Sequence, residues 1–459
     1  MVDVGRTLWH YCHTLRHDGM DYGEYLDQLT YLLFLKMADE RGVALPQGAG
    51  WDKLTHCDAE VLLETYQEIL TKLKCGRGLV GDIYASARSG FSRPSSLGQI
   101  LSLLDQIEWS ALPSDVQADA FEYLLEQAAA EGKKGAGQYF TPRLLVESIV
   151  ECVKPGALPS DRLVSDPAAG TGGFLVAAHA WALNELGSPS AVEKRGMSFQ
   201  GTELVSRARR LGLMNLMLHG VTEPVLSLSD AIYDDPPLSN YDVVLTNPPF
   251  GSKGSNPPVR SDFWAVTSSK QLNFVQHVVA ILKEGGRAAL VLPDNCFFGD
   301  QASLLWPGLV ERCNVHTVLR LPRGTFSPYT SGTRTNVLFL EKGRPTETTW
   351  VYDARTGLPA IGRGNPLSRD TLKEFRTCFG PDPRAQSARN VLHSPGRRWN
   401  AFQIQELSRR QYQLDQLPWQ APVEMLQTHE SPILVLESIL RDVDAVAEDV
   451  RALLKELGN

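Results

Sequence analysis

Between Arg162 and Glu341 the chain repeats one unit: a short apolar run, a turn rich in Gly, Pro, Asn or Asp, then a helical stretch. Few folds tolerate that alternation. Strands joined by crossover helices lie parallel, and the helices cover both faces of the sheet. The apolar runs are Arg162–Ser165, Met197–Glu203, Val225–Leu228, Tyr241–Thr246, Ala288–Leu292, Val315–Leu321 and Asn336–Glu341. A helix is expected from Gln271 to Lys283, closed by Gly285 and Gly286. Only a loop of about 14 residues joins the last two runs, too short for a crossover helix, so they should pair antiparallel. The expectation is an α/β fold: a Rossmann-like, seven-stranded, mostly parallel sheet occupying residues 132–352.

The flanks differ in pattern. Residues 1–131 carry helical periodicity only, with Leu26, Leu29, Leu33 and Met37 on one stripe, and further amphipathic runs at 59–73 and 115–130. They predict an N-terminal helical bundle domain. A glycine-rich seam, Gly132-Lys133-Lys134-Gly135-Ala136-Gly137, separates it from Thr141-Pro142. There Thr141 is the expected N-cap and Pro142 the first helical residue. Residues 353–430 are rich in Pro, Gly and Arg and read as a connector with short helices. In 431–459, Ile433, Leu436, Leu440, Val443, Ala447, Val450, Leu454 and Leu457 recur in steps of three and four. That seam predicts a C-terminal helical tail that packs on another subunit or back on its own chain.

In a doubly wound sheet the site lies at the carboxyl ends of the strands, and four features fall there. The first is the loop Asp166-Pro167-Ala168-Ala169-Gly170-Thr171-Gly172-Gly173, whose glycines admit close approach of a ligand to the backbone. It is neither GxGxxG nor a Walker loop, so its contacts are expected to be mainly other than phosphate. Second is Glu203, placed to accept hydrogen bonds from two ribose hydroxyls. Third is Asp230, placed to accept from an adenine amino group. Together they describe a pocket for an adenosine without phosphates.

The fourth is Asn247-Pro248-Pro249-Phe250, where a buried-looking strand runs into residues that cannot continue it. The Asn247 amide oxygen and the Pro248 carbonyl are acceptors. Two acceptors can grip both hydrogens of an exocyclic amine and free its lone pair to face an electrophile. Asn is no base, so it positions and polarises, and the proton leaves after methyl transfer. Phe250 offers a face on which a base can stack.

These residues resemble the S-adenosylmethionine-dependent DNA methyltransferases that form N6-methyladenine. The fuller set, GQYFTPR (137–143), DPAAGTGGFLVAA (166–178), QGTELVSRARRLGLMNLMLHG (200–220), TNPPFG (246–251) and LPRGTFSPYTSGTRTNVLFLEKG (321–343), resembles the modification subunit of type I restriction-modification systems. YLDQLTYLLFLKMADERG (25–42) is similar to that family's helical domain. The resemblance implies S-adenosyl-L-methionine as cofactor, held by Gln138, Tyr139, Phe140, Thr141, Pro142, Arg143, Asp166, Ala168, Gly170, Thr171, Gly172, Gly173, Glu203 and Asp230. It implies that Asn247, Pro248, Pro249 and Phe250 hold a flipped adenine of duplex DNA. It also implies a specificity subunit that reads the DNA, with two copies of this chain to one of it, and a separate restriction or motor subunit.

Composition agrees. The net charge of -8 suits a catalytic chain that borrows DNA affinity from a partner. The seven cysteines are scattered and never form CxxC or Pro-Cys, which argues against a zinc site, a disulfide framework and C5-cytosine chemistry, and for a reducing cytoplasm. No run approaches the length of a membrane span, and the N-terminus lacks the pattern of a signal peptide. Lys253, Arg260, Lys270, Arg323 and Arg334 fall in loops near the site, either as phosphate contacts or as solvated surface. Two other functions share the fold: methylation of an RNA base or a protein glutamine by the same Asn-Pro-Pro logic, and a non-catalytic scaffold.

Overall fold

The computed structural model describes residues 4–15, 19–131, 141–235, 240–250, 260–326, 333–362, 364–391, 394 and 398–412. Gln138, Tyr139, Phe140, Lys253 and the seam from Ile433 to Leu457 lie outside them. The described N-terminal residues contain helices α1 (Val4–Leu15), α2 (Tyr22–Glu40), α3 (Asp52–Thr55), α4 (Leu62–Lys74), α5 (Gly78–Tyr84), α6 (Pro94–Asp105) and α7 (Ser114–Glu131), and no strand. The start of α2 is fixed by a reciprocal cap. The Asp21 carboxylate accepts from the Glu24 N–H at 2.7 Å, and the Glu24 carboxylate accepts from the Asp21 N–H at 3.2 Å. Beyond that cap every residue from Tyr25 to Ala38 except Asp27 is buried, which makes α2 the central helix of the bundle.

Among the described residues nine strands form one sheet: β1 (Leu163–Asp166), β2 (Ser198–Glu203), β3 (Val225–Leu228), β4 (Tyr241–Thr246), β5 (Leu282–Pro293), β6 (Cys313–Arg320), β7 (Thr335–Lys342), β8 (Thr348–Asp353) and β9 (Trp399–Gln403). Their order is β3-β2-β1-β4-β5-β7-β6-β8-β9. The first five in that order are parallel, and β7 runs antiparallel to both β5 and β6, as the missing crossover helix requires. The expected count of seven is corrected to nine. β8 adds parallel to β6, and β9 adds antiparallel to β8 from the stretch that reads as connector. The helix expected to reach Lys283 ends earlier, because Leu282 already pairs with Tyr241 and Lys283 makes an ion pair with Asp242 at 2.8 Å.

Helices α8 (Arg143–Val153), α9 (Gly173–Leu186), α10 (Pro189–Arg195) and α11 (Ser206–Leu218) precede β4, and α12 (Lys270–Ile281) and α13 (Asp300–Arg312) follow it. Two short helices, α14 (Lys373–Phe379) and α15 (Ile404–Arg409), complete the set. β4 is buried along its whole length: Val243 and Leu245 face one apolar cluster, Val244 the other, so helices cover both sides. The cap of α8 departs from expectation. The helix opens at Arg143, Pro142 occupies the cap position with no side-chain cap bond, and the Thr141 hydroxyl is engaged elsewhere.

The chain winds outward from β1 to β3, then returns to β4 on the other side of β1. The reversal of strand order therefore falls between β1 and β4, and their carboxyl ends are neighbours. The bundle docks against α11. Arg207 and Arg210 both pair with Asp27 of α2, Arg209 pairs with Asp82 of α5 at 3.0 Å, and the Arg210 guanidinium lies 4.1 Å from the centre of the Tyr31 ring. Among the described residues no helix is long and apolar enough to cross a membrane.

Candidate functional site

The loop leaving β1 needs left-handed backbone at Gly170 (φ 55°) and Gly172 (φ 79°), a region that disfavours any side chain. Asp166 anchors it. This residue is 2% exposed, and its Oδ1 accepts from the Thr246 hydroxyl at 2.7 Å and the Ala168 N–H at 3.0 Å. Burial pushes the Asp166 carboxyl up to about 7, against the pull of those two hydrogen bonds. The same bond to Thr246 ties the glycine loop to the last residue of β4.

Glu203, at the end of β2, accepts from the Gly170 N–H at 2.8 Å and from the Val205 N–H at 2.7 Å, one bond to each oxygen. Each oxygen keeps a further lone pair for a ligand hydroxyl. Asp230, just after β3, uses Oδ1 to hold a turn, accepting from the N–H groups of Ile232 and Tyr233 at 2.9 and 3.2 Å. Beside Glu203, Leu204 is 62% exposed, an unusual place for a large apolar side chain.

Below the glycine loop, Asn215 of α11 is 2% exposed. Its Nδ2 donates to the Thr171 carbonyl at 2.9 Å, while its Oδ1 is buried with no partner in the protein. The second loop, from β4, holds the other unpartnered oxygen. Asn247 Nδ2 donates to the Thr141 hydroxyl at 2.8 Å, and Asn247 Oδ1 is buried without a partner. Pro248 is buried, and the Pro249 carbonyl accepts from Gln271 Nε2 of α12 at 2.6 Å. Phe250 is 7% exposed and packs edge-on against Phe326, with ring centres 5.5 Å apart.

A cleft of about 310 Å³ brings these loops together. Of the residues expected from sequence, Thr141, Arg143, Asp166, Ala168, Gly170, Thr171, Gly173 and Asn247 line it. Pro142, Gly172, Glu203, Asp230, Pro248, Pro249 and Phe250 do not line it, though Glu203 borders it through Gly170. Asn247 and Gly170 thus line one cavity at the neighbouring ends of β1 and β4.

The cleft also takes residues that sequence reasoning missed: Glu122 and Leu125 from α7 of the bundle, Trp181 of α9, Asn215, His219 and Arg369. Arg143 gathers three acids, Asp119 at 3.2 Å, Glu122 at 2.6 Å and Glu147 at 3.0 Å, and Glu122 also meets His219 at 3.2 Å. Burial alone would raise the Glu122 carboxyl, but His219 and Arg143 outweigh it and hold the group below its ordinary value. Asn215 and His219 were within reach of pattern reading, since they stand one helical turn apart. Glu122 was not, because nothing local in α7 announces its distant partners.

Of the cations considered for phosphate contact, Lys270, Arg323 and Arg334 are exposed. Arg260 is a correction: its side chain is 6% exposed, and it is held by Asp262 at 2.6 Å and by the Ala231 carbonyl at 2.9 Å. Its neighbour His277 is depressed to about 3, first by the imidazole's own burial and then by the Arg260 charge. A cation so enclosed and paired is not free to meet a phosphate. Among the described residues no group of three or more His, Cys, Asp or Glu is set to hold a metal ion.

Residues 113–424 match the family described as N-6 DNA methylase, and residues 4–43 match the HsdM N-terminal domain. The chain is 33% identical, over 99% of its length and 95% of the relative's, to the type I restriction enzyme StySPI methylase subunit of Salmonella potsdam. It is 36% identical, over 84% of its length and 78% of the relative's, to the type I restriction enzyme EcoKI methylase subunit of Escherichia coli (strain K12). Among solved structures, a chain from work on complex assembly and conformational transition of the type I R-M system superposes with a TM-score of 0.77, 26% identity and 99% coverage of both chains.

Proposed function

The chain belongs to the N-6 DNA methylase family, among the methylase subunits of type I restriction enzymes, and from that premise we infer how its site works. It is the modification subunit: an adenine-specific DNA methyltransferase. The cofactor that its family implies is S-adenosyl-L-methionine, and the residues present suit that group. Glu203 keeps acceptor capacity for ribose hydroxyls, Asp230 has an oxygen outside its turn for an adenine amine, and the exposed Leu204 offers an apolar face beside them. Thr171, Gly170 and Gly173 line the cleft with little more than backbone, and a Cβ added at Gly170 or Gly173 would meet no protein atom within 4 Å. Bound there, the cofactor would supply an electrophilic methyl group on sulfur, its carbon–sulfur bond being the one to break.

This chain's own residues prepare the nitrogen. The Asn247 oxygen and the Pro248 carbonyl take the two N6 hydrogens of an adenine turned out of the duplex, a step that costs a few kcal/mol. With both hydrogens held, the lone pair leaves conjugation with the ring and points at the methyl group. Asn247 removes no proton; the extra one departs to water once the new carbon–nitrogen bond has formed. Phe250, 7% exposed and packed edge-on against Phe326, would offer its ring to the base only once uncovered. A specificity subunit reads the DNA sequence, with two copies of this chain to each, and a restriction subunit joins them. The assembly works in the cytoplasm.

The unpartnered, buried Oδ1 of Asn247 carries this reading: a buried acceptor without a donor is costly, and a substrate amine satisfies it. Asn247→Ala is expected to lower single-turnover methyl transfer to duplex DNA by about 10²–10³-fold while calorimetric affinity for S-adenosylmethionine stays within about threefold. Transfer at the wild-type rate would sink the reading. Transfer to RNA or to a protein glutamine, with none to DNA, would move it to another substrate.

A further inference from the structure

An asparagine side chain has two faces. A half-turn about its last torsion exchanges the oxygen, an acceptor, for the nitrogen, a donor of two hydrogens. Only the oxygen serves an amine; turned the other way, Asn247 would set two hydrogens against two hydrogens. In the structure the oxygen is the atom left without a partner, and the nitrogen is tied to Thr141 Oγ1 at 2.8 Å across 106 residues of chain.

We propose that Thr141 is a positioning residue for methyl transfer: its hydroxyl receives Asn247 Nδ2 and so leaves the amide oxygen to the substrate amine. This rests on the role given to Asn247 above. A hydroxyl can donate as well as accept, so Thr141 satisfies either orientation of the amide while the site is idle. The incoming amine selects the oxygen, and Thr141 then gives the displaced nitrogen a partner. Without that hydroxyl, the productive orientation leaves Nδ2 without its hydrogen bond.

Thr141 is itself held from an unexpected direction. Two residues on, Arg143 is bound by Asp119 and Glu122 of α7 and by Glu147 of its own helix. Two of those three acids belong to the N-terminal bundle. The stretch of chain that carries the hydroxyl is thus tied, through Arg143, to a charge cluster shared by α7 of the bundle and α8. Sequence reading gave Thr141 two other duties, helix cap and cofactor contact; α8 has no side-chain cap bond, while the residue lines the cleft and its hydroxyl accepts from the Asn247 amide.

The test uses the full chain assembled with its specificity subunit and two duplexes: one with adenine at the target position, for the transfer rate, and one with 2-aminopurine there, for base extrusion alone, since 2-aminopurine has no 6-amino group to methylate. Thr141→Val keeps the shape and removes the hydroxyl. It is expected to slow single-turnover transfer about 10–100-fold, the cost of a lost hydrogen bond, with calorimetric cofactor affinity within about threefold. 2-Aminopurine fluorescence should report unchanged extrusion of the base, because the amide acts after the base has arrived. Thr141→Ser should recover the rate to within about threefold of wild type. In an Asn247→Ala background, Thr141→Val should alter the residual rate by less than about twofold, since the two residues act as one unit.

A Thr141→Val enzyme with wild-type rate overturns the proposal. So does a loss that follows cofactor affinity, which makes Thr141 a cofactor contact, or a Ser variant no better than Val. An active Asn247→Ala enzyme removes the reading beneath it, and that result is recognisable because it needs no change at position 141.

Discussion

The two halves of the cleft are finished to different degrees. On the β1–β2 side the polar groups at its edge mostly serve each other: Asp166 holds Thr246 and Ala168, Glu203 holds Gly170 and Val205, and Asn215 holds Thr171. On the β4 side the decisive atom, Asn247 Oδ1, has nothing. The first half keeps one such atom, Asn215 Oδ1 beneath the glycine loop, but is otherwise a cradle whose shape the protein maintains without a ligand; the second carries its unmet demand on the side chain that opens the Asn-Pro-Pro-Phe turn. Holding a cofactor rewards preorganisation, whereas catalysis rewards an interaction realised only with the reacting group.

If that contrast is right, substitutions on the two sides should separate chemistry from folding. Asn247→Ala, the largest expected loss of transfer, should change the melting temperature little, because the lost Nδ2 bond to Thr141 is offset by removal of a buried oxygen that has no partner. A clear drop in melting temperature would erase the distinction between the halves. Glu203→Ala should do the reverse, lowering cofactor affinity about tenfold and stability by about 1–3 kcal/mol, since it strips acceptors from two backbone N–H groups. Denaturation and calorimetry on the same preparation check both, and a loss confined to affinity would show that the cradle is held by something else.

The smallest effect is a pH dependence. The folded pKa of Asp166 is near 7, above its value in an unfolded chain. Its contribution to stability is therefore full below the unfolded pKa and is lost as pH rises through about 7. Asp166→Asn cannot ionise, so between pH 6 and 8 it should escape about 1 kcal/mol of destabilisation that the wild type suffers. Parallel melts at the two pH values test this, and identical slopes would mean that Asp166 stays charged in its buried place.

How much of this was legible beforehand follows physical lines. The glycine loop, Glu203 and the Asn-Pro-Pro-Phe turn were readable because each sits where an apolar run meets residues that cannot extend a strand. β9 was hidden: Trp399–Gln403 is a five-residue edge strand reached through Pro- and Arg-rich chain, and its partner β8 is far away in sequence. The roles of Glu122 and Thr141 were equally out of sight. Their meaning comes from partners 21 and 106 residues away, and no local pattern encodes such pairings.

Helix α11 touches both worlds. Its arginines lean on Asp27, Tyr31 and Asp82, while Asn215 on the same helix props the loop at Thr171. The catalytic half is consequently no free-standing cassette. Cut away at residue 132 it would bare Arg210, now 2% exposed, to solvent. An engineered chimera that exchanges bundles between relatives would have to bring along an acid matching Asp27 and a ring matching Tyr31, or the graft would unsettle the glycine loop through α11.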